Sequence, residues 1–249
     1  MSGNPRDSVD FGYRTVDRHE KRRLVRGVFD SVAGKYDVMN DLMSLGVHRL
    51  WKRAFIETLG PRPGFRLLDL AGGTGDISAG WLRRGGGPAI LSDINFSMLG
   101  VARDRMITQG LIGSALLLVA DAEALPLPDK AVDRVAIAFG LRNCTNKEQV
   151  LREAWRVLRP GGRFACLEFS RLQIAALEKL YDIWSFRVLP RIGQSVAKDG
   201  ESYRYLAESI RMFPDQETLQ AMMRTAGLER VSYRNLSGGI VAIHQGWRL

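Results

Sequence analysis

Leu67-Leu68-Asp69-Leu70-Ala71-Gly72-Gly73-Thr74-Gly75-Asp76 is the stretch on which the fold of this 249-residue chain turns. An apolar run passes directly into a glycine-rich turn, and a helical pattern opens at the end of it. Glycines let a backbone approach a ligand closely, and a helix N-terminus offers unpaired N–H groups. Alone, such a segment also fits a tight turn that binds nothing. Its surroundings carry more information. Apolar runs at 66–71, 88–92, 115–120, 132–139 and 163–169 alternate with helical patterns at about 76–84, 95–109 and 147–158. In the last of these helices Val150, Leu151, Ala154 and Leu158 share a face. Short, nearly continuous apolar strands separated by amphipathic helices predict a parallel sheet covered on both faces. Two more strands, near 228–234 and 239–246, follow each other without a helix and predict an antiparallel edge. The expected fold is α/β and Rossmann-like, a mostly parallel seven-stranded sheet with an antiparallel C-terminal hairpin.

Upstream, Leu24, Val25, Val28, Phe29 and Val32 form one helical stripe. A second amphipathic helix, about 47–59, is expected to bury Val47, Leu50, Trp51, Ala54 and Phe55 before Gly60-Pro61-Arg62-Pro63-Gly64 breaks the chain. Downstream, a long helical insertion carries Leu172, Ala176, Leu180, Ile183, Trp184 and Val188. A helix from Asp215 to Ala226 follows it, with Leu219, Met222 and Met223 on its buried side. One domain over 1–249 is expected: a helical cap to residue 60, a cofactor-binding core over 61–170, a helical substrate insertion over 171–212, and a C-terminal helix and strands over 213–249.

Composition bounds the function. Basic residues number 36 against 27 acidic, a net charge of +9 that suits nucleic acid, an anionic membrane surface or an acidic ligand without choosing among them. The densest basic run, Arg18–Arg26, reads most simply as a solvated helix face. No stretch approaches 18 uninterrupted apolar residues, and the first twenty residues carry Asp7, Asp10, Asp17 and Glu20 without an apolar signal core. A cytoplasmic protein is expected. Cys144 and Cys166 have neither CxxC spacing nor neighbouring histidines, so neither a metal site nor a disulfide is expected. They read instead as small hydrophobes near strand ends. His19, His48 and His244 are scattered, and surface or packing roles suit them better than catalysis.

Acidic spacing sharpens the glycine-rich turn. Asp93 ends the second strand, eighteen residues beyond Gly75, where a carboxylate can accept both ribose hydroxyls of a nucleoside. Asp121 ends the third, placed to meet an adenine amino group. Each alone would suit a helix cap. Three acids in series, Asp69, Asp93 and Asp121, at the carboxyl edge of one parallel sheet form a site. Asp69 and Asp76 flank the turn and would repel a pyrophosphate, yet they suit a sulfonium and an α-amino group. Electrostatics therefore favours S-adenosylmethionine over a dinucleotide. Arg156-Val157-Leu158-Arg159-Pro160-Gly161-Gly162 resembles the helix–turn–strand junction of class I methyltransferases, Pro160 stopping the helix and the glycines turning the chain.

Phe29-Asp30-Ser31-Val32-Ala33-Gly34-Lys35-Tyr36-Asp37, Leu70–Asp76, Phe139-Gly140-Leu141-Arg142-Asn143 and Ser202-Tyr203-Arg204-Tyr205-Leu206-Ala207-Glu208-Ser209-Ile210 together resemble the ubiquinone/menaquinone biosynthesis C-methyltransferases, the UbiE group. The likeness runs from about residue 22 to the C-terminus. It implies methyl transfer from S-adenosylmethionine to a ring carbon of a polyprenylated benzoquinol or naphthoquinol. It also implies cofactor contacts at Thr74, Asp93, Asp121 and Ala122. A further family contact after the fourth strand is usually serine, but this chain has Ala138. Asp69, Gly73 and Gly75 join the expected cofactor set, and Tyr36 with Asp37 would fold over it as a lid.

Ring methylation needs the reduced quinol, whose oxygens feed electron density to the ortho carbon. Arg142 and Asn143, just after the fourth strand, are the expected catalytic pair. Asn143 would hydrogen-bond a quinol oxygen, and Arg142 would stabilise its developing negative charge or position a water. A structural Arg–carboxylate pair beside a turn asparagine is the alternative. Tyr203, Tyr205 and Ser209 are expected to line the quinol pocket. The apolar segment around Leu180, Ile183, Trp184, Phe186, Val188 and Leu189 is either the wall of a prenyl channel or a dimer face. Expected partners are the polyprenylated quinol, transient contact with a membrane surface, and a second copy or a quinone-biosynthesis complex, but no nucleic acid. Rival readings are a nucleic-acid methyltransferase, which lacks its basic–aromatic stripe here, a nicotinamide-dependent oxidoreductase, and a scaffold that keeps the cofactor fold without turnover.

Overall fold

A computed structural model describes residues 8–32, 41, 44, 46–172 and 200–249. The elements run β1 (Ser8–Phe11), β2 (Arg14–Asp17), α1 (Arg18–Val32), α2 (His48–Leu59), β3 (Leu67–Leu70), α3 (Asp76–Arg83), β4 (Ala89–Asp93), α4 (Phe96–Thr108), β5 (Ala115–Val119) and β6 (Val132–Ala138). They continue with α5 (Lys147–Val157), β7 (Leu158–Phe169), α6 (Gly200–Arg211), α7 (Gln216–Thr225), β8 (Glu229–Leu236) and β9 (Val241–Arg248). Seven strands form one sheet in the order β5-β4-β3-β6-β7-β9-β8. The first five strands of that order pair in parallel, while β9 is antiparallel to both β7 and β8. The expected sheet and its antiparallel edge are present.

The two-residue period of the strands divides the core. Leu68, Leu70, Val135, Ile137, Phe164 and Cys166 face α5 and α7, where Val150, Leu151, Ala154, Leu219 and Met223 meet them. Their neighbours Leu67, Ala136, Ala165, Leu167, Val241 and Ile243 face the other way, onto Trp51, Phe55, Ile56, Leu59 and Trp81. Fully burying one such leucine contributes roughly 1.5–3 kcal/mol.

Four expectations change. The N-terminal cap does not begin as helix: β1 and β2 form an antiparallel hairpin, with Val9 opposite Val16. Leu50 is 65% exposed. The buried stripe of α2 is His48, Trp51, Phe55, Ile56 and Leu59, so the helix is rolled by about a residue from the face first expected. Cys166 lies within β7, paired with both Ile137 and His244, rather than at a strand end. Strand β7 also begins earlier than expected: Leu158 already pairs with Val132, a bulge absorbs the Pro160-Gly161-Gly162 turn, and pairing resumes at Arg163. Most of the helical insertion, including Leu180 to Leu189, lies outside the described residues, as do Tyr36 and Asp37.

Candidate active site

The carboxyl ends of β3, β4, β5 and β6 open into a cleft of roughly 870 Å³, its solvent-open mouth included, bounded on the far side by α1. A smaller cavity shares Ala71, Gly73, Ala138 and Phe139 with it and reaches Asp69, Thr74 and Lys52. The β3–α3 turn shapes both. Ala71 and Gly73 adopt positive φ, and Gly75, the N-cap of α3, has φ +83°. A Cβ at Gly75 would sit 2.9 Å from Leu91, in a backbone region that side chains resist. Gly75 therefore acts by letting the turn close onto β4 and does not itself line either cavity.

Asp93 is the pivot of the larger cleft. Its Oδ2 accepts from the Gly73 N–H at 2.9 Å and its Oδ1 from the Asn95 N–H at 2.8 Å. Burial raises its pKa, against the pull of those bonds. A carboxylate offers about four lone-pair sites, so both oxygens keep acceptor capacity toward the cleft. Asp69, beneath the turn, accepts from the Ser78 N–H and Oγ through Oδ2. Its Oδ1 is buried without a hydrogen-bond partner. Desolvation pushes this carboxyl up to about 7, although Ser78 pulls it down. Beside it Asp76 holds both Lys52 and Arg105, and Arg105 also reaches the Thr74 hydroxyl at 3.4 Å.

At the other end Asp121 and Ala122 line the cleft. Asp121 caps its own turn through the Glu123 N–H and pairs with Arg22 at 2.9 Å. Glu123, which the sequence reading passed over, accepts from Arg22, Thr145 and Asn146. Burial pushes its carboxyl up, but these donors outweigh that and hold it below the usual range. The Arg18–Arg26 run is thus not simply a solvated face. Arg22 crosses to the acidic strand ends, and Lys21, buried, donates to the Cys144 carbonyl at 3.1 Å. Asp30, farther along α1, accepts from the Asn95 amide. A cluster of cations on one helix, Lys21, Arg22, Arg23 and Arg26, set against a series of strand-end acids was the signal available for this contact.

Arg142 and Asn143 occupy a single 3₁₀ turn after β6, Leu141–Asn143. They point in different directions. Asn143 lines the large cleft with Phe139 and Gly140, and its Oδ1 accepts from the Tyr205 hydroxyl at 3.1 Å. The Arg142 guanidinium is turned instead onto Glu168 at 2.7 Å and the Phe139 carbonyl at 2.6 Å. Glu168 interrupts the otherwise apolar Cys166-Leu167-Glu168-Phe169, and a carboxylate in such a strand must find a cation. Tyr205 and Ser209 border a separate small polar cavity rather than the large cleft. The Tyr203 side chain lies outside what is described. Ala138 lines both cavities and offers no side-chain hydrogen bond there. Cys144 reaches the large cleft, but burial pushes its thiol up to about 12, so it remains protonated. Among the described residues no cluster of His, Cys, Asp and Glu is arranged for a metal ion.

Sheet order, the glycine-rich turn and the acidic strand ends define the class: an α/β fold of the S-adenosylmethionine-dependent class I methyltransferases. Two of the solved structures that share it illustrate the likeness. One is a methyltransferase of Thermotoga maritima described as a possible histamine N-methyltransferase (TM-score 0.64, 20% identity, covering 90% of this chain and 99% of that one). The other is a SAM-dependent methyltransferase of Aquifex aeolicus (TM-score 0.58, 17% identity, 80% and 89% covered). Within that class the chain belongs to the ubiE/COQ5 methyltransferase family, which residues 15–248 match. A protein of Acidiphilium cryptum named ubiquinone/menaquinone biosynthesis C-methyltransferase UbiE is 68% identical over 249 residues, with all of both chains covered. One of the same name from Serratia proteamaculans is 56% identical over 250 residues, again with complete coverage. The family match begins at residue 15, ahead of the residue 22 at which the resemblance first became readable.

Proposed function

We propose that the protein methylates a ring carbon of a polyprenylated benzoquinol, a demethylmenaquinol, or both, using S-adenosylmethionine, in ubiquinone and menaquinone biosynthesis. Full-length similarity to proteins named for that reaction supports the substrate class. The observation that carries the chemistry is one cleft joining the acidic strand ends to Asn143.

The residues fit the cofactor. Asp93 would accept the ribose hydroxyls, and Asp121 with Ala122 would border the adenine. Thr74 and Gly73 would flank the methionine portion, where the unpartnered Asp69 Oδ1 suits an ammonium and Lys52 a carboxylate. When bound, the cofactor supplies an electrophilic methyl group on a sulfonium. The chain's task is alignment and exclusion of water. Val25 and Phe29 of α1, with Phe139, give the cleft apolar walls against which a quinol ring can lie. Asn143 is the catalytic residue of this reading, donating to a ring oxygen as negative charge grows there. Arg142 acts as a positioning residue, holding that turn to Glu168. Tyr36 and Asp37 remain our candidates for a lid. The protein works in the cytoplasm, and its net charge of +9 favours brief visits to anionic lipid, where a prenylated substrate resides. No helix among the described residues is long and apolar enough to cross a membrane.

The test is anaerobic incubation with methyl-labelled S-adenosylmethionine and chemically reduced short-tail demethylated quinols, with RNA in parallel. Label in a quinol ring carbon is expected. Label in RNA alone, or none despite cofactor binding, would overturn the assignment.

Asp69 supplies a pH dependence. Its folded pKa lies above the usual carboxyl value, so the folded protein binds the extra proton and loses stability as pH rises from about 4 toward 7. Cofactor binding should run the opposite way, because the ionised carboxylate is the form that attracts an ammonium. Affinity for S-adenosylmethionine is expected to rise up to about tenfold between pH 6 and pH 8, as titration calorimetry would register. Asp69→Asn should flatten that profile, and an unchanged slope would remove Asp69 from the ammonium contact.

A further inference from the structure

We infer that Tyr205 is a positioning residue of this active site: its hydroxyl, backed by the N-terminal hairpin, fixes the Asn143 amide so that the NH₂ group faces the cleft. The inference rests on the proposed contact between Asn143 and the quinol oxygen.

An asparagine amide presents an acceptor and a donor of nearly equal shape, and rotation about its last bond exchanges them. Only the donor helps a ring oxygen that is gaining negative charge. Something must therefore hold the acceptor elsewhere. Tyr205 is 6% exposed, and a buried phenol needs an acceptor for its proton. Among the described residues that acceptor is Asn143 Oδ1, 3.1 Å away. Desolvation pushes the phenol beyond its usual range, so it stays a donor. With Oδ1 engaged, the Nδ2 hydrogens are the part of the amide left for the cleft. The backbone of the same turn is pinned as well, by the Asn143 N–H on the Gly140 carbonyl and by Lys21 on that of Cys144.

Tyr205 is in turn held by a segment to which the sequence assigned no role. Its ring stacks on Phe11 of β1, with centroids 4.1 Å apart and planes inclined by 15°. One residue on, the hairpin turns through Gly12 at φ +58°, and a side chain there would run into the Glu208 carboxylate. The Tyr13 N–H donates to that carboxylate at 3.1 Å. Tyr205 and Glu208 lie three residues apart on α6, so the hairpin grips one face of that helix at two points. The chain of contact runs from Phe11 through Tyr205 to Asn143.

Steady-state kinetics with a short-tail demethylated quinol, read beside cofactor affinity and melting temperature, provide the test. Tyr205→Phe keeps the stacked ring and removes only the hydroxyl. It should lower kcat about tenfold while the quinol KM and cofactor Kd stay within about twofold. Asn143→Ala should lower kcat by about a hundredfold or more. Because Tyr205 acts only through Asn143, the double variant should be no slower than Asn143→Ala alone. Phe11→Leu, which leaves both partners in place, should lower kcat by about threefold and serves as a second probe should Tyr205→Phe melt early. Parent kcat in Tyr205→Phe, or losses that multiply in the double variant, would overturn the inference and leave Asn143 in place. Parent kcat in Asn143→Ala would instead overturn the proposed role of Asn143, and the positioning role with it.

Discussion

Asp93→Asn should raise the Kd for S-adenosylmethionine by a hundredfold or more while the protein stays folded. The carboxylate already steadies the glycine-rich turn through Gly73 and the start of α4 through Asn95. It keeps acceptor capacity on both oxygens for a ribose diol. Each hydrogen bond to a charged acceptor is worth about 1.5–3 kcal/mol, and two of them account for a factor of a hundred or more. An amide in the same place turns two hydrogens toward groups that are themselves donors. Calorimetry of cofactor binding, with circular dichroism to verify the fold, checks this. A Kd within about threefold of the parent would mean that the nucleoside does not use Asp93.

Arg142→Met should cost about 3–5 kcal/mol of stability, because it strands the Glu168 carboxylate in the sheet. The two side chains are only 4% and 1% exposed, and Glu168 also takes the N–H groups of Arg142 and Phe169. For a chain of this size the loss corresponds to a fall in melting temperature of about 6–20 °C. Replacing both partners with apolar residues should restore most of that stability, since no orphan charge then remains. Kinetics of the stable double variant separate the two roles open to Arg142. Recovered turnover is expected if apolar packing holds the turn in place of the ion pair, and it would show that the substrate does not use the guanidinium. A single variant within about 1 kcal/mol of the parent would show that Glu168 tolerates its isolation.

The fold could be read from local pattern because parallel strands buried on both faces are largely apolar, and β3, β4, β6 and β7 each contain such a run. The glycine-rich turn was legible for a related reason: Ala71, Gly73 and Gly75 take positive φ within a few residues, a demand that Gly73 and Gly75 meet without strain. Misreadings arose where the pattern is short or two-sided. Strands β1 and β2 have four residues each and are mostly exposed, so Ser8–Asp17 carried no readable period. On α2, Leu50 and Trp51 are adjacent and equally apolar, and only packing against β6 and β7 chose Trp51. Among the site residues, Asp93 and Asp121 could be found because they stand at strand ends that the pattern fixes, and Asn143 because it belongs to the Phe139–Asn143 motif that carries the family resemblance. Glu123 and Lys52 could not, because each depends on a partner at least 22 residues away in sequence. Tyr205 was expected in the quinol pocket, but its bond to Asn143, 62 residues away, was not legible.

By itself, then, the sequence determined the seven strands, the turn after the first of the parallel ones, the acids at the strand ends and the family. The strands, the turn and the acids follow from periodicities and spacings within a few tens of residues, whereas the family follows from the resemblance carried by the motifs at 29–37, 70–76, 139–143 and 202–210. Only the tertiary structure decided what faces those acids. It brought the basic helix α1 over Asp121 and Glu123, turned Arg142 away from the cleft onto Glu168, and set the N-terminal hairpin behind Tyr205. Charge and aromatic character say that a side chain needs a partner. Which partner it receives is settled when burial of the apolar faces brings distant segments together, since an ion pair or ring stack is worth too little to direct the chain alone.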